Sequence, residues 1–209
     1  KQRQRLAEMK KPEAELHFRG YELIAGVDEV GRGPLAGPVV AAAVVLPEDF
    51  DVLGIDDSKK LSEKKREELF DVIRDGAIAW GIGMADHQII DEINILQATK
   101  LAMRRAIEEV ERKLGQKVHL DYILFDAMEI GEIDRPQQAI IKGDSKVLAI
   151  AAASIIAKVT RDRMMVEYAE KYPGYAFEKN KGYGTKAHYE GIARQGICPI
   201  HRRTFLKNL

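Results

Sequence analysis

Ile24-Ala25-Gly26-Val27-Asp28-Glu29-Val30-Gly31-Arg32-Gly33-Pro34 is the stretch whose reading decides the fold. The apolar run over residues 21–27 leads into it and predicts a buried strand over 21–28. That strand ends in two adjacent carboxylates, Asp28 and Glu29, and the chain then turns with a glycine on each side of Arg32. A second apolar run over 38–46 follows and predicts a second strand over 39–46. Setting two acids against two hydrophobic runs costs free energy unless something pairs with them. The neighbouring glycines let a backbone or a ligand approach where a side chain would block it. Acids at a strand end beside a Gly-Arg-Gly turn point to a metal and phosphate site.

Outward from this centre, residues 1–20 are polar and charged with no strong apolar face, and read as a frayed helix or the end of a longer extension. Residues 55–62 form a polar loop. Ser62 is a candidate N-cap for a helix over 63–74, with Leu69, Phe70 and Ile73 inward and Gly76 as its stop. Residues 78–84 are a third strand, thinned by Gly81 and Gly83. Asp86 opens a helical region that becomes regular over 97–114 and stops at Gly115. Residues 122–126 repeat the opening theme, an apolar strand terminated by an acid, Asp126. A short strand over 139–141 leads into Lys142-Gly143-Asp144-Ser145, and an alanine-rich helix spans 145–171. Pro173 and Gly174 end it, and a short helix is expected over 186–194. Strands first, then helix and strand alternating, predict an α/β layer fold on a mixed sheet. The strands ending at Asp28 and Asp126 must then lie side by side for their acids to meet. One continuous domain is expected over 21–171, with a helical C-terminal portion from residue 172.

The 209 residues, 45% of them hydrophobic, suffice for a sizeable core. No apolar run reaches the roughly 18 residues of a membrane span, and no secretory segment opens the chain. The first residue is Lys1, which reads as a natural N-terminus lying further upstream. The single Cys198 excludes an internal disulfide and suits a reducing cytoplasm, as a small structural thiol. A net charge of zero hides an asymmetry. Residues 21–142 carry 15 Lys and Arg against 24 Asp and Glu, whereas residues 143–209 carry 12 against 6. An acidic body with a basic end suits a protein that holds cations in one place and a polyanion in another.

Four acids stand in distinctive settings: Asp28, Glu29, Asp126 and Asp144. Brought together without cations they would repel, and some would take up protons. Oxygen-only ligands favour Mg²⁺ or Mn²⁺ over zinc, and His17, His87, His119, His188 and His201 are too scattered for a zinc site. Each histidine reads as a surface or hydrogen-bonded structural residue. Two hard cations can activate a water and stabilise a leaving 3′ oxygen in phosphodiester hydrolysis. Any one acid alone is weak evidence, since many strands end in Asp. Gly31 and Gly33 could present backbone to a sugar hydroxyl, with Arg32 reaching a phosphate. Tyr183, between two glycines, offers an aromatic face for a sugar or base. Ser58, Lys59 and Lys60 are candidate phosphate donors. Ser154 and Lys158, one turn apart, could touch a backbone phosphate, though a structural role fits them better.

Residues 26–40, Asp57-Ser58-Lys59-Lys60-Leu61, Lys142-Gly143-Asp144, residues 152–162 and Lys181-Gly182-Tyr183-Gly184-Thr185 together resemble bacterial ribonuclease HII, in family order from about residue 21 to 201. The resemblance implies a ribonuclease H-like mixed five-stranded sheet flanked by helices, with a helical C-terminal portion. It implies a metal-dependent endonuclease that cuts on the 5′ side of ribonucleotides, in RNA–DNA hybrids and at single ribonucleotides in duplex DNA, leaving 3′-OH and 5′-phosphate ends. It further implies two divalent cations, Mg²⁺ or Mn²⁺, bound with substrate on Asp28, Glu29, Asp126 and Asp144. Recognition of the 2′-OH then falls to Gly31, Arg32, Gly33 and Tyr183. A cytoplasmic monomer with no membrane partner is expected. The sister enzyme ribonuclease HIII, a binding module that has lost its chemistry, and an unrelated phosphate-binding protein are the competing readings. All four acids being present disfavours the second, and Tyr183 with the basic tail disfavours the third.

Overall fold

The computed structural model describes residues 1–115 and 117–208. In chain order it contains α1 (Gln2–Phe18), β1 (Ile24–Val30), β2 (Val39–Val45), α2 (Glu63–Gly76), β3 (Ala79–Ala85), α3 (His87–Leu114), β4 (Tyr122–Asp126), β5 (Gln137–Ile140), α4 (Leu148–Lys171), α5 (Phe177–Asn180) and α6 (Lys186–Gln195). Single 3-10 turns lie at Ser58–Lys60, Gly143–Ser145 and Arg203–Phe205. The five strands form one sheet in the order β3-β2-β1-β4-β5, so the mixed five-stranded sheet expected from the sequence is present. β1 runs antiparallel to β2 and parallel to β4, and β4 runs parallel to β5.

Directly opposite residues on paired strands share a face. Gly26 opposes Val44 and Asp28 opposes Ala42, all on the face covered by α4. Val27 opposes Ala43 and Glu29 opposes Ala41, on the face covered by α3. Both helices approach the sheet through small residues. A methyl group on Gly26 would run into the backbone of Ala149, and one on Gly83 into the carbonyl of Ala102. The glycines that thin the third strand in the sequence are therefore what lets α3 lie flat on it.

Several elements differ from the sequence reading: β1 extends to Val30, β5 is Gln137–Ile140 rather than 139–141, and α4 begins at Leu148 rather than 145, after the 3-10 turn Gly143–Ser145. β1 begins at Ile24 rather than residue 21, because Asp121 accepts the N–H groups of Glu22 and Leu23 at 3.0 and 2.8 Å and takes them out of the ladder. α3 is two helical segments joined at Asn94, whose φ is 70°. The Asp86 side chain caps the first segment through Ile89 N–H, and the Asn94 side chain caps the second through Gln97 N–H at 3.0 Å. The N-terminal segment is a docked helix, not a frayed one. Leu6, Met9, Glu13 and Leu16 recur at helical spacing on one buried face. Glu13 accepts the Ala149 N–H at 3.0 Å, capping α4 from another element, since its own N-cap, Val147, has no side chain able to do so. Burial pushes the Glu13 carboxyl up to about 7. Arg5 donates to the Ser145 carbonyl and to Asp56, each at 2.8 Å.

The chain beyond residue 172 folds around Ala36, Met165, Tyr175, Phe177 and Ile200. No helix among the described residues is long and apolar enough to cross a membrane.

Gly26→Ala is expected to lower the free energy of unfolding by about 2 kcal/mol or more, since backbone rather than a flexible side chain stands in the way. Urea denaturation at unchanged slope reads this directly. A loss below about 0.5 kcal/mol would mean that α4 slides off the sheet without cost.

Candidate active site

The parallel register of β1 and β4 pairs Val27 with Phe125, so the next residues, Asp28 and Asp126, stand side by side where that pairing ends. Asp126 also opposes Ile140, which packs on the α4 side with Ile150. Asp144 arrives from that side on the 3-10 turn before α4. Lys142 makes the approach possible by adopting the left-handed conformation, at φ 57°. The Gly143 N–H then donates to Asp126 Oδ1 at 2.7 Å, locking the turn to the strand end. One carboxylate oxygen each from Asp28, Asp126 and Asp144 lies within 4.8 Å of the others.

Glu29 is not part of this trio. Strand alternation sends its side chain toward the α3 face, where Arg32 Nη1 lies 3.9 Å from it, while its own N–H donates to Asp28 Oδ1 at 2.8 Å. It stays close enough to Asp126 for the two charges to feel each other.

The acids are held as reluctant anions. Burial, reinforced by Glu29, Asp126 and Asp144, pushes Asp28 well above the carboxylate range. Burial also raises Glu29, with Arg32 opposing, and burial together with Asp126 and Asp57 raises Asp144, with Lys59 opposing. Lys59 Nζ lies 3.4 Å from Asp144 Oδ2. Partial burial works against its charge, but Asp57, Asp144 and Asp28 hold its pKa above that of a free lysine. Three converging oxygen donors are what a hard divalent cation would satisfy, and among the described residues no nitrogen or sulfur donor joins them to favour zinc.

The glycine turn follows β1 directly, and its Arg32 side chain reaches back to Glu29. Gly31 has φ +90°, and Arg202 donates to the carbonyls of Gly31, Arg32 and Gly37 at 2.6, 2.9 and 2.9 Å. Arg161 donates to those of Pro38, Ala36 and Lys181 at 2.9, 3.1 and 2.7 Å. Both arginines are fully buried. Arg202, which by sequence belongs to a basic end, is therefore out of reach of any phosphate. Arg161 and Arg202 are the residues the sequence reading passed over. The available signal was Arg161 at i+4 from Ala157 and i−4 from Met165, on the buried stripe of α4. Tyr183 comes to the same turn. A side-chain carbon built on Gly33 would sit 3.5 Å from its ring, and the Leu35 N–H donates to the Gly182 carbonyl at 2.8 Å. The Tyr183 ring is 42% exposed, open for a ligand.

The other expected contacts divide. Lys59 and Lys60 are both exposed, Lys59 beside Asp144 and Lys60 3.5 Å from Asp56. Ser154 is buried and its hydroxyl is fully engaged, accepting the Ser58 N–H at 3.2 Å and donating to the Ala151 carbonyl at 2.8 Å. It holds the Ser58–Lys60 turn in place. Lys158 is paired with Asp162 at 2.9 Å.

A sequence model of the family described as Ribonuclease HII matches residues 25–208. A "Ribonuclease HII" from Listeria innocua serovar 6a is 58% identical over 201 residues, covering 96% of this chain and 74% of the relative. Among solved structures, the ribonuclease H2 from Pyrococcus horikoshii OT3 superposes with a TM-score of 0.68 at 29% identity, over 88% of this chain and 93% of that one. Bst-RNase HIII in complex with Mn²⁺ shares the fold at 20% identity, with a TM-score of 0.66 over 86% of this chain and 65% of that one.

Removing one of the three clustered charges should relieve repulsion. In chelator at pH 7, Asp28→Asn is expected to raise the thermal midpoint by about 2–4 °C, the shift that ~1 kcal/mol gives a chain of this size. A carboxyl raised in the folded state binds its proton more tightly folded than unfolded. Its cost is thus absent below about pH 4 and grows as pH rises through the folded pKa, so the gain from Asn should disappear near pH 4. An Asn variant less stable than the parent at pH 7 would show that the buried acids do not repel.

Proposed function

This chain belongs to the ribonuclease HII family, endoribonucleases of the ribonuclease H type that act on RNA–DNA hybrids, and from that premise we propose the bond it cuts and the residues that cut it. The enzyme hydrolyses the phosphodiester on the 5′ side of a ribonucleotide, in hybrids and at a single ribonucleotide within duplex DNA, and leaves 3′-OH and 5′-phosphate ends. The observations that carry this reading are the convergence of three carboxylates and the packing of one aromatic ring against the glycine turn that follows the strand of Asp28.

Asp28, Asp126 and Asp144 would hold Mg²⁺ or Mn²⁺, and Glu29 would complete the set from the edge of the strand. When bound with substrate, two such ions lower the pKa of the attacking water and neutralise charge on the leaving 3′ oxygen. The solved neighbour bound to Mn²⁺ supports that choice of ion. The chain's own residues supply selection. Arg202 occupies the Gly31 and Arg32 carbonyls, so the turn has its amides left for a ribose hydroxyl, and among the described residues the Arg32 and Gly33 N–H groups find no protein acceptor. The 2′-OH is the group that separates RNA from DNA, and it accepts as well as donates. Tyr183 packs the other side of the sugar, where a deoxyribose would leave the amides unmet. Arg32, Lys59 and Lys60 contact phosphate, which makes binding salt-dependent.

A labelled DNA duplex with one ribonucleotide is expected to be nicked immediately 5′ of it with Mg²⁺ or Mn²⁺, and left intact with chelator or when all-DNA. Cleavage of a long hybrid alone would instead point to the sister enzyme's specificity. Asp126→Asn should reduce turnover by at least about a hundredfold with duplex binding retained. Substantial residual turnover would remove Asp126 from the ligand set. Tyr183→Ala should slow incision at the single ribonucleotide by about tenfold or more, and parental rates there would sink its assigned role.

A further inference from the structure

Behind Tyr183 lies a pair of imidazoles that none of the chemistry above uses. His188, on α6, and His201, in the segment after it, are both buried, and their Nε2 atoms are 2.9 Å apart. His188 Nδ1 lies 2.9 Å from the Tyr183 carbonyl oxygen, and the Cys198 backbone N–H donates to His201 Nδ1 at 2.9 Å. The two ends assign every proton. His201 Nδ1 also lies 3.3 Å from the Cys198 carbonyl oxygen, but its shorter contact is with the N–H, which only donates, so His201 Nδ1 is an acceptor and its proton sits on Nε2. A carbonyl only accepts, so His188 carries its proton on Nδ1 and receives that of His201 at Nε2. One tautomer of each neutral ring satisfies the three contacts at 2.9 Å. A further proton on either ring would set two N–H groups against each other.

The pair also closes a circuit. Leu35 N–H donates to the Gly182 carbonyl and Arg202 N–H to the Leu35 carbonyl, each at 2.8 Å, while His201 pairs with Ala36 as an isolated bridge. Tyr183, His188, His201, Arg202, Leu35 and Gly182 thus form a closed circuit of four hydrogen bonds and two peptide links where the two glycine loops meet. The backbone here needs such support: Lys181 has φ 52° and Gly182 φ +89°. Apolar residues would fill the same volume, alongside the Tyr175 and Phe177 rings, without burying four ring nitrogens.

We propose that His188 and His201 are positioning residues that set the backbone at Tyr183, and hence its ring against Gly33, so that ribonucleotide selection depends on this buried imidazole pair. The inference rests on the reading of Tyr183 as ribose-facing. Their titration agrees with a neutral pair. Burial, then the neighbouring His188, lowers His201 to about 4, and burial lowers His188.

The test is a double-mutant cycle on incision at a single ribonucleotide. His188→Leu removes the donor to Tyr183, and His188→Asn keeps an N–H near the Nδ1 position. His188→Leu is expected to lower kcat/KM about tenfold, the scale of one buried hydrogen bond, and His188→Asn to recover most of it. On a Tyr183→Ala background His188→Leu should cost less than about twofold more, because the two act through one ring. Equal loss on both backgrounds, or a parental His188→Leu beside a crippled Tyr183→Ala, would overturn the inference alone. A parental Tyr183→Ala would overturn the reading beneath it. The tautomers can be read in the unaltered protein, should His188→Leu not fold, by ¹H–¹⁵N correlation of the imidazoles at pH 7. His188 protonated at Nδ1 and His201 at Nε2 is the expected result. A charged ring or the opposite tautomer of either would overturn it.

Discussion

Two buried guanidinium groups hold this molecule's working surface together. Among the described residues Arg161 and Arg202 meet no carboxylate in hydrogen-bond contact, and their six nitrogens donate to the carbonyls of Gly31, Arg32, Ala36, Gly37, Pro38 and Lys181. Burying a charge in this way is costly, and burial lowers their pKa values to about 10 and about 9. Both remain cations at neutral pH all the same. The planar, forked geometry of arginine makes the arrangement feasible, and a lysine could not replace it. The glycine turn gains a fixed shape from these contacts, and two positive charges lie directly beneath a surface proposed to receive phosphates.

The acids depend on a different constraint, the closeness of α4 to the sheet. Asp28 and Asp126 are brought together by strand register, but Asp144 reaches them only because α4 sits against Gly26 and the turn before it is tied to Asp126. α1 reinforces the same corner through Glu13 at the start of α4 and Arg5 at Ser145. Small residues at the helix–sheet contact, rather than polar bonds at the site alone, therefore fix the spacing of the charges.

Much of this was legible in the chain. The strand ending at Asp126, the Gly-Arg-Gly turn and the loop over 181–185 lie where their composition indicates, whereas β1 continues past its acids to Val30 because β2 still pairs with it there. Asp86 and the regular helix after residue 97 were visible as two signals, and Asn94 explains why they are two. What escaped notice were roles that depend on three-dimensional neighbours. Arg202 and Arg203 look alike in sequence, yet one is buried and one exposed. Adjacent Asp28 and Glu29 diverge because a strand alternates its side chains, a fact obscured when both are grouped as one acidic pair. α1 has only three buried apolar residues along 17, too sparse a stripe to stand out from its charges. His188 and His201 are thirteen residues apart, with no spacing that announces a contact.

The hydrogen bonds from Arg202 to the turn at Gly31 and Arg32 span about 170 positions of the chain. Contacts of such sequence separation form late, after the loop-closure entropy of the intervening chain has been met. A growing polypeptide would thus carry Asp28 and Glu29 long before it had β4, Asp144, Tyr183 or the guanidinium that shapes the turn. Until then it holds acids without a frame and a turn without a shape. The shape of the turn is thus completed only by residues at the far end of the chain, whereas the acids are placed by strand register and α4.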